Sequence, residues 1–175
     1  MKLRLLVFVG LMTSLFVSAQ TQTSTNDVAF LDAQGRVIPN GTVVVLNKAV
    51  TTEFPFEGFE IAGKVFIQNK TDKPQNVSLS YTINEIDEGE VKVCAYENCT
   101  INPDPGTYEV GTKLLSIGLE KETVEIEHTY GERENCTITL KLKVKELGSD
   151  KEKEGPSITV KFDTNAAGIA SVASQ

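Results

Sequence analysis

From Cys136 to Val144 apolar and polar residues alternate without a break, and no other feature of this chain limits its fold so tightly. Cys136, Ile138, Leu140, Leu142 and Val144 fall on one side of an extended chain, with Thr137, Thr139, Lys141, Lys143 and Lys145 on the other. A helix would scatter those apolar residues around its axis, whereas a strand collects them on one face. Ile158, Val160 and Phe162 alternate with Thr159, Lys161 and Asp163 in the same way. So do Val77, Leu79, Tyr81 and Ile83 with Ser78, Ser80, Thr82 and Asn84. Between Val144 and Ile158 the charged stretch Gly148–Gly155 reads as a loop bracketed by glycines, which makes the flanking runs a hairpin.

Further strands are expected at Val28–Asp32, Thr42–Leu46, Lys64–Asn69, Val91–Ala95, Lys113–Ile117 and Val124–Thr129. Turn signals separate them, among them Ala33-Gln-Gly35, Pro39-Asn-Gly41, Lys70–Pro74, Asp87-Glu-Gly89, Asn102–Gly106 and Tyr130-Gly131. No window of about a dozen residues carries a 3.6-residue period. The expectation is an all-β chain, a single antiparallel β-sandwich of immunoglobulin-like type with about nine strands over residues 28–163. A closed barrel is the alternative, because alternation alone does not reveal whether a sheet closes.

Composition narrows the chemistry. With 40% hydrophobic residues in 175, the chain can build a core and is not expected to be disordered. One histidine excludes a two-histidine metal or catalytic centre. A formal charge of −7 argues against nucleic acid, whose phosphates call for clustered lysine and arginine.

The first nineteen residues stand apart. Lys2 and Arg4 precede an apolar run, Leu5–Val9 and then Leu11, Met12, Leu15, Phe16 and Val17, ending in Ser18 and Ala19. That is the order of a secretory signal peptide, with cleavage expected after Ala19. The run is too short and too interrupted by Gly10, Thr13 and Ser14 for a membrane span, which takes about 20 apolar residues. Losing Lys2 and Arg4 takes the formal charge from −7 to −9. Residues 20–27 read as a short polar tether and 164–175 as a small-residue tail, either a loose extension or a weak last strand. The product is expected to be secreted or held at the cell surface, with no membrane insertion after cleavage.

Three cysteines in an exported chain invite one disulfide and leave one thiol over. Cys94 and Cys99 enclose a short loop at a strand end, and Cys136 sits on an apolar face, so Cys94–Cys99 is the preferred pair. Spacing does not prove connectivity, and a pairing through Cys136 stays open. The chain has too few cysteines for an all-thiolate zinc site, and no cofactor set is recognisable.

The run Phe30-Leu-Asp-Ala-Gln-Gly-Arg-Val-Ile-Pro-Asn-Gly-Thr-Val-Val, the later Gly63-Lys-Val-Phe-Ile-Gln-Asn-Lys-Thr-Asp-Lys-Pro and the loop Cys94-Ala-Tyr-Glu-Asn-Cys99 together resemble small, uncharacterised secreted immunoglobulin-like domains of the Bacteroidota. The resemblance implies a secreted sandwich without catalytic residues, of a kind sometimes joined to cell-surface sorting domains. The tail 164–175 is short beside such a domain, so anchoring through one is not expected here.

Candidate sites are few. His128 shares parity with Val124, Ile126 and Tyr130 and is expected inside, as a hydrogen-bonded residue at a sheet margin. No nucleophile-elbow pattern accompanies it. Glu120, Glu122, Glu125 and Glu127 read as a solvated acidic stretch rather than the paired carboxylates of a glycosidase, and Asp87, Glu88 and Glu90 match no calcium-loop pattern. Asn40, Asn69, Asn76, Asn98 and Asn135 open Asn-x-Ser/Thr triplets, which matter only in a eukaryotic secretory pathway. Phe54, Phe56 and Phe59 form the densest aromatic cluster, a binding patch if exposed and loop packing if not. The functional expectation is a non-enzymatic binding or structural module whose partner is another extracellular or cell-surface protein. The alternatives are a hydrolase or inhibitor using His128 or the acidic loops, and a surface-polymer subunit assembled by strand donation from residues 20–26 or 164–175.

Overall fold

The computed structural model describes residues 27–53, 57–118, 120–132, 134–165 and 168–170; the expected signal peptide and the tether up to Asn26 lie outside them. Every regular element among the described residues is a strand. They are β1 (Val28–Leu31), β2 (Val37–Ile38), β3 (Val43–Leu46), β4 (Lys48–Thr52), β5 (Gly58–Asn69), β6 (Gln75–Ile86) and β7 (Glu90–Ala95), then β8 (Asn98–Asn102), β9 (Gly106–Leu115), β10 (Glu122–Tyr130), β11 (Asn135–Glu146), β12 (Glu152–Asp163) and β13 (Gly168–Ala170). No helix among the described residues is long and apolar enough to cross a membrane.

Two sheets pack face to face. One runs β13-β4-β5-β10-β7-β8 and the other β3-β12-β11-β6-β9. β1 joins the first sheet along Phe66–Asn69 of β5, while β4 pairs with Gly58–Ile61, so the two share one edge of β5 end to end. The opposite edge of β5 belongs to β10. The period-2 pattern places the core as expected: Leu79, Tyr81, Ile83, Ile138, Leu140, Leu142, Ile158, Val160 and Phe162 from one sheet are buried against Ile61, Ile67, Val91, Val93, Val124 and Ile126 from the other. Gly63 lies on the inner face of β5, where a Cβ would stand 2.7 Å from the methyls of Leu46, so its bare backbone admits the facing sheet.

Along both flanks the chain passes from one sheet to the other. β3 pairs in parallel with β12 (Val43–Leu46 beside Thr159–Phe162), and β4 then pairs in parallel with β13 in the other sheet (Lys48–Val50 beside Gly168–Ala170). On the other flank the chain passes from β8 to β9, and Asn98 Nδ2 donates to the Val110 carbonyl at 2.5 Å across the join. The Tyr81 hydroxyl, from β6, accepts from Asn102 Nδ2 of β8 at 2.7 Å.

Four expectations need correction. The described residues hold thirteen strands rather than about nine, because β2, β4, β8 and β13 are short edge pieces with little apolar alternation. Two of the pairings are parallel, a consequence of the sheet-switching chain. The Gly148–Gly155 loop shrinks to residues 147–151: Glu152 and Glu154 continue the ladder opposite lysines, with Lys141–Glu154 at 2.6 Å and Lys143–Glu152 at 3.5 Å. β9 also starts earlier than Lys113, at Gly106, and ends at Leu115, leaving Ile117 exposed beyond it.

Candidate functional site

At one end of the sandwich the turn 87–89 between β6 and β7, Glu134 just before β11, and Thr164 after β12 are tied together around Glu134. Glu134 Oε2 accepts from the Glu88 amide, while Thr164 Oγ1 accepts from the Glu134 amide at 3.1 Å and donates to its carbonyl at 2.7 Å. Asp87 Oδ2 accepts from the Asn135 amide at 3.3 Å. Gly89, at φ 78°, lies so close to the Thr129 carbonyl that a Cβ would come within 2.1 Å of its oxygen.

A column of rings runs from this end into the core. Phe59 lies opposite Tyr130 in register and stacks on it at 5.6 Å between centroids. Tyr130 stacks on His128 at 5.2 Å, and His128 meets Phe162 at 5.1 Å. Tyr130 and His128 are two apart on β10, so both point inward. The outer end of the column opens on a groove of about 620 Å³ whose lining includes Phe59, Tyr130, Glu53, Glu57, Glu60 and Glu90. Phe59 is half-buried, and Phe54 and Phe56 lie outside the described residues.

His128 is fully buried, its Nδ1 3.1 Å from the Glu90 carbonyl and its Nε2 2.5 Å from Glu134 Oε1. A carbonyl only accepts, so Nδ1 carries a proton. Burial pushes the imidazole below its usual value and the Glu134 carboxyl above its own. An imidazole with no exposed surface cannot reach a substrate, which removes the basis for a hydrolase centred on His128. The expected placement at a sheet margin is also corrected: β10 lies between β5 and β7. Glu134 was not legible in sequence, where Gly131-Glu-Arg-Glu134 reads as an exposed charged turn.

The other acidic candidates are dispersed or neutralised. Glu122 pairs with Lys113 at 2.7 Å, Glu125 with Lys64 at 2.6 Å and Glu127 with Lys92 at 2.8 Å. The Asp87 carboxylate is engaged by the Asn135 amide, Glu88 enters the turn through its backbone amide alone, and no group of three or more histidine, cysteine or acidic residues among the described residues is arranged to hold a metal ion. Cys94 and Cys99 form a disulfide, directly opposed across the β7–β8 hairpin, and Cys136 is a free, buried thiol. Burial pushes that thiol up to about 12.

With this geometry the chain resembles the N-terminal domain of PorA, a Bacteroidota protein. The match has a TM-score of 0.56 at 19% identity and covers 81% of this chain and 99% of that one. The fold is an immunoglobulin-like β-sandwich. Weaker likenesses are to a PapD-like domain of human CEP192 (TM-score 0.44, 9% identity, 91% of this chain and 99% of that one) and to CfaE, the adhesive subunit of an enterotoxigenic Escherichia coli fimbria (TM-score 0.43, 9% identity, 79% and 49%). No family model matches the chain, and no curated protein matches it in sequence.

Proposed function

We propose that this chain is an exported, non-enzymatic binding module that presents the acidic, aromatic-floored end of the sandwich to a basic segment of another extracellular or cell-surface protein. The carrying observation is the groove itself: Phe59 on Tyr130 forms an apolar floor, and the described lining residues add four glutamates and no lysine or arginine. A lysine or arginine side chain fits such a place through carboxylate contacts at its tip and ring contacts along its stem. Phe54 and Phe56, two residues either side of Pro55 in the segment leading to the groove, are proposed to extend the floor. Signal-peptide removal after Ala19, a tether at 20–27 and a domain at 28–163 complete the reading.

The test is capture from the native extracellular mixture by the immobilised full chain, beside Phe59→Ala and the double variant Glu60→Lys/Glu90→Lys. Partners retained by the wild type should be lost from the charge-reversed protein and released by salt. Equal capture by all three, with unchanged circular dichroism, would end this reading.

A second reading has one observation behind it. β3 pairs only with β12 among the described residues, and Val43 and Val45 on this edge strand are exposed. An open edge of this kind accepts an added strand, here from residues 20–26 of a neighbouring copy. A strictly monomeric full chain on a sizing column would exclude it.

A further inference from the structure

We propose that His128 and Glu134 form a one-proton latch, holding the Glu88–Glu90 wall of the groove in place only while the pair carries a single proton between Nε2 and Oε1. The latch belongs to the free chain and does not depend on the groove having a partner.

The two side chains grip that wall at both ends. Glu134 Oε2 takes the Glu88 amide proton, and His128 Nδ1 donates to the Glu90 carbonyl at 3.1 Å. With Nδ1 committed, the 2.5 Å contact between Nε2 and Oε1 has room for one proton, on either atom. A second proton makes both facing atoms donors and buries a charge. Removing the only one sets a carboxylate against a ring lone pair, or, after a tautomer shift, sets Nδ1 against the Glu90 carbonyl. Both alternatives leave a polar group unmatched where the side chains are 0% and 3% exposed.

The surroundings reinforce this. Asp87 and Glu88 face the pair from the β6–β7 turn, Glu90 from the start of β7, Tyr130 from β10 itself and the neutral Cys136 thiol from β11, while β12 contributes the uncharged ring of Phe162. Among the described residues no lysine or arginine forms an ion pair with Glu134. Burial raises Glu134 and lowers His128, and the carboxylates of Asp87 and Glu88 push Glu134 further up.

The pH dependence follows from counting protons. When the latch opens, the groups return to ordinary values of 4.5 and 6.5, and the open pair holds two protons below this window, one within it and none above. The closed pair holds one throughout. Closure is therefore favoured most between pH 4.5 and 6.5. It weakens by up to about tenfold per pH unit on either side, until the closed pair itself titrates.

The test is amide hydrogen exchange of Glu88 in the isotopically labelled full chain, between about pH 5 and 8.5 and corrected for intrinsic rates, beside Glu134→Gln. Protection in the wild type should be flat up to about pH 6.5 and then fall by as much as tenfold per unit. In Glu134→Gln the amide donates permanently to Nε2 and its oxygen still takes the Glu88 proton; the closed ring stays neutral while the opened ring gains a proton below 6.5, so protection should be flat above about pH 6.5 and fall below it. His128 is the one histidine, so its imidazole proton signal is unambiguous and should show no midpoint near 6.5. A flat wild-type profile, the same slope in Glu134→Gln, or an imidazole titrating near 6.5 would each overturn the latch. Should the variant fail to fold, the wild-type slope and the imidazole signal decide alone.

Discussion

Gly89 and Cys136 represent two ways in which a single residue carries the fold. Gly89 combines a left-handed φ of 78° with a Cβ position 2.1 Å from a backbone oxygen. Gly89→Ala should lose about 1–2 kcal/mol to the backbone conformation, with the clash adding to it, read as a lowered denaturant midpoint. The Cys136 thiol, buried and raised to about 12, should resist alkylation at pH 8 in the native protein and label only once denaturant opens the core. Asn69 is a third such residue at the opposite end. Its Nδ2 lies within 2.8 to 3.3 Å of the carbonyls of Lys73, Leu115 and Ser116, and its Oδ1 accepts from Thr71 at 2.9 Å. Asn69→Ala should cost about 1–3 kcal/mol by stranding those carbonyls. Residue parity in the sequence put His128 inside. It could not supply Glu134, because a carboxylate brought in by a turn leaves no periodic trace.

Among the elements, the long strands were legible and the edges were not. β6, β11 and β12 each bury one face of a wet strand, which writes alternation into the sequence. β4 and β8 sit beside or at a sheet edge with Lys48, Asn98 and Cys99 exposed, so their sequences carry little of it. The charged stretch after Gly148 hides its strand for a related reason: Glu152 and Glu154 look like loop residues until β11 sets Lys145 and Lys143 opposite them and Lys143 and Lys141 within ion-pair reach. The spacing of Cys94 and Cys99 marks the stapled β7–β8 hairpin in the sequence. Its turn residues Tyr96 and Glu97 both adopt positive φ, 56° and 61°, a geometry that usually favours asparagine and glycine. The Cys94→Ser/Cys99→Ser protein should lose about 2 kcal/mol in the chain-entropy account, with amide exchange accelerating first at residues 95–98. Uniform acceleration across both sheets would contradict that local picture.

For the molecule as a whole, ion pairs cover the outer surfaces of both sheets and join the loops at one end. Lys64 and Lys73 hold the carboxyls of Glu125 and Glu146 below their usual value. Their stabilisation is complete above the ordinary carboxylate value and is lost as pH falls through the lowered ones. A urea midpoint that declines in this acid range, and declines less in high salt, would verify it. The parallel pairing of β3 with β12 has a consequence in time. Val43 pairs with Thr159, a separation of 116 residues, and β3 has no other sheet partner among the described residues. A chain delivered N-terminus first must therefore hold β3 in reserve until β12 has emerged. Docking of β3 is thus a late event in assembly rather than an early one, timed by the delivery of β12 and not by that of β3 itself.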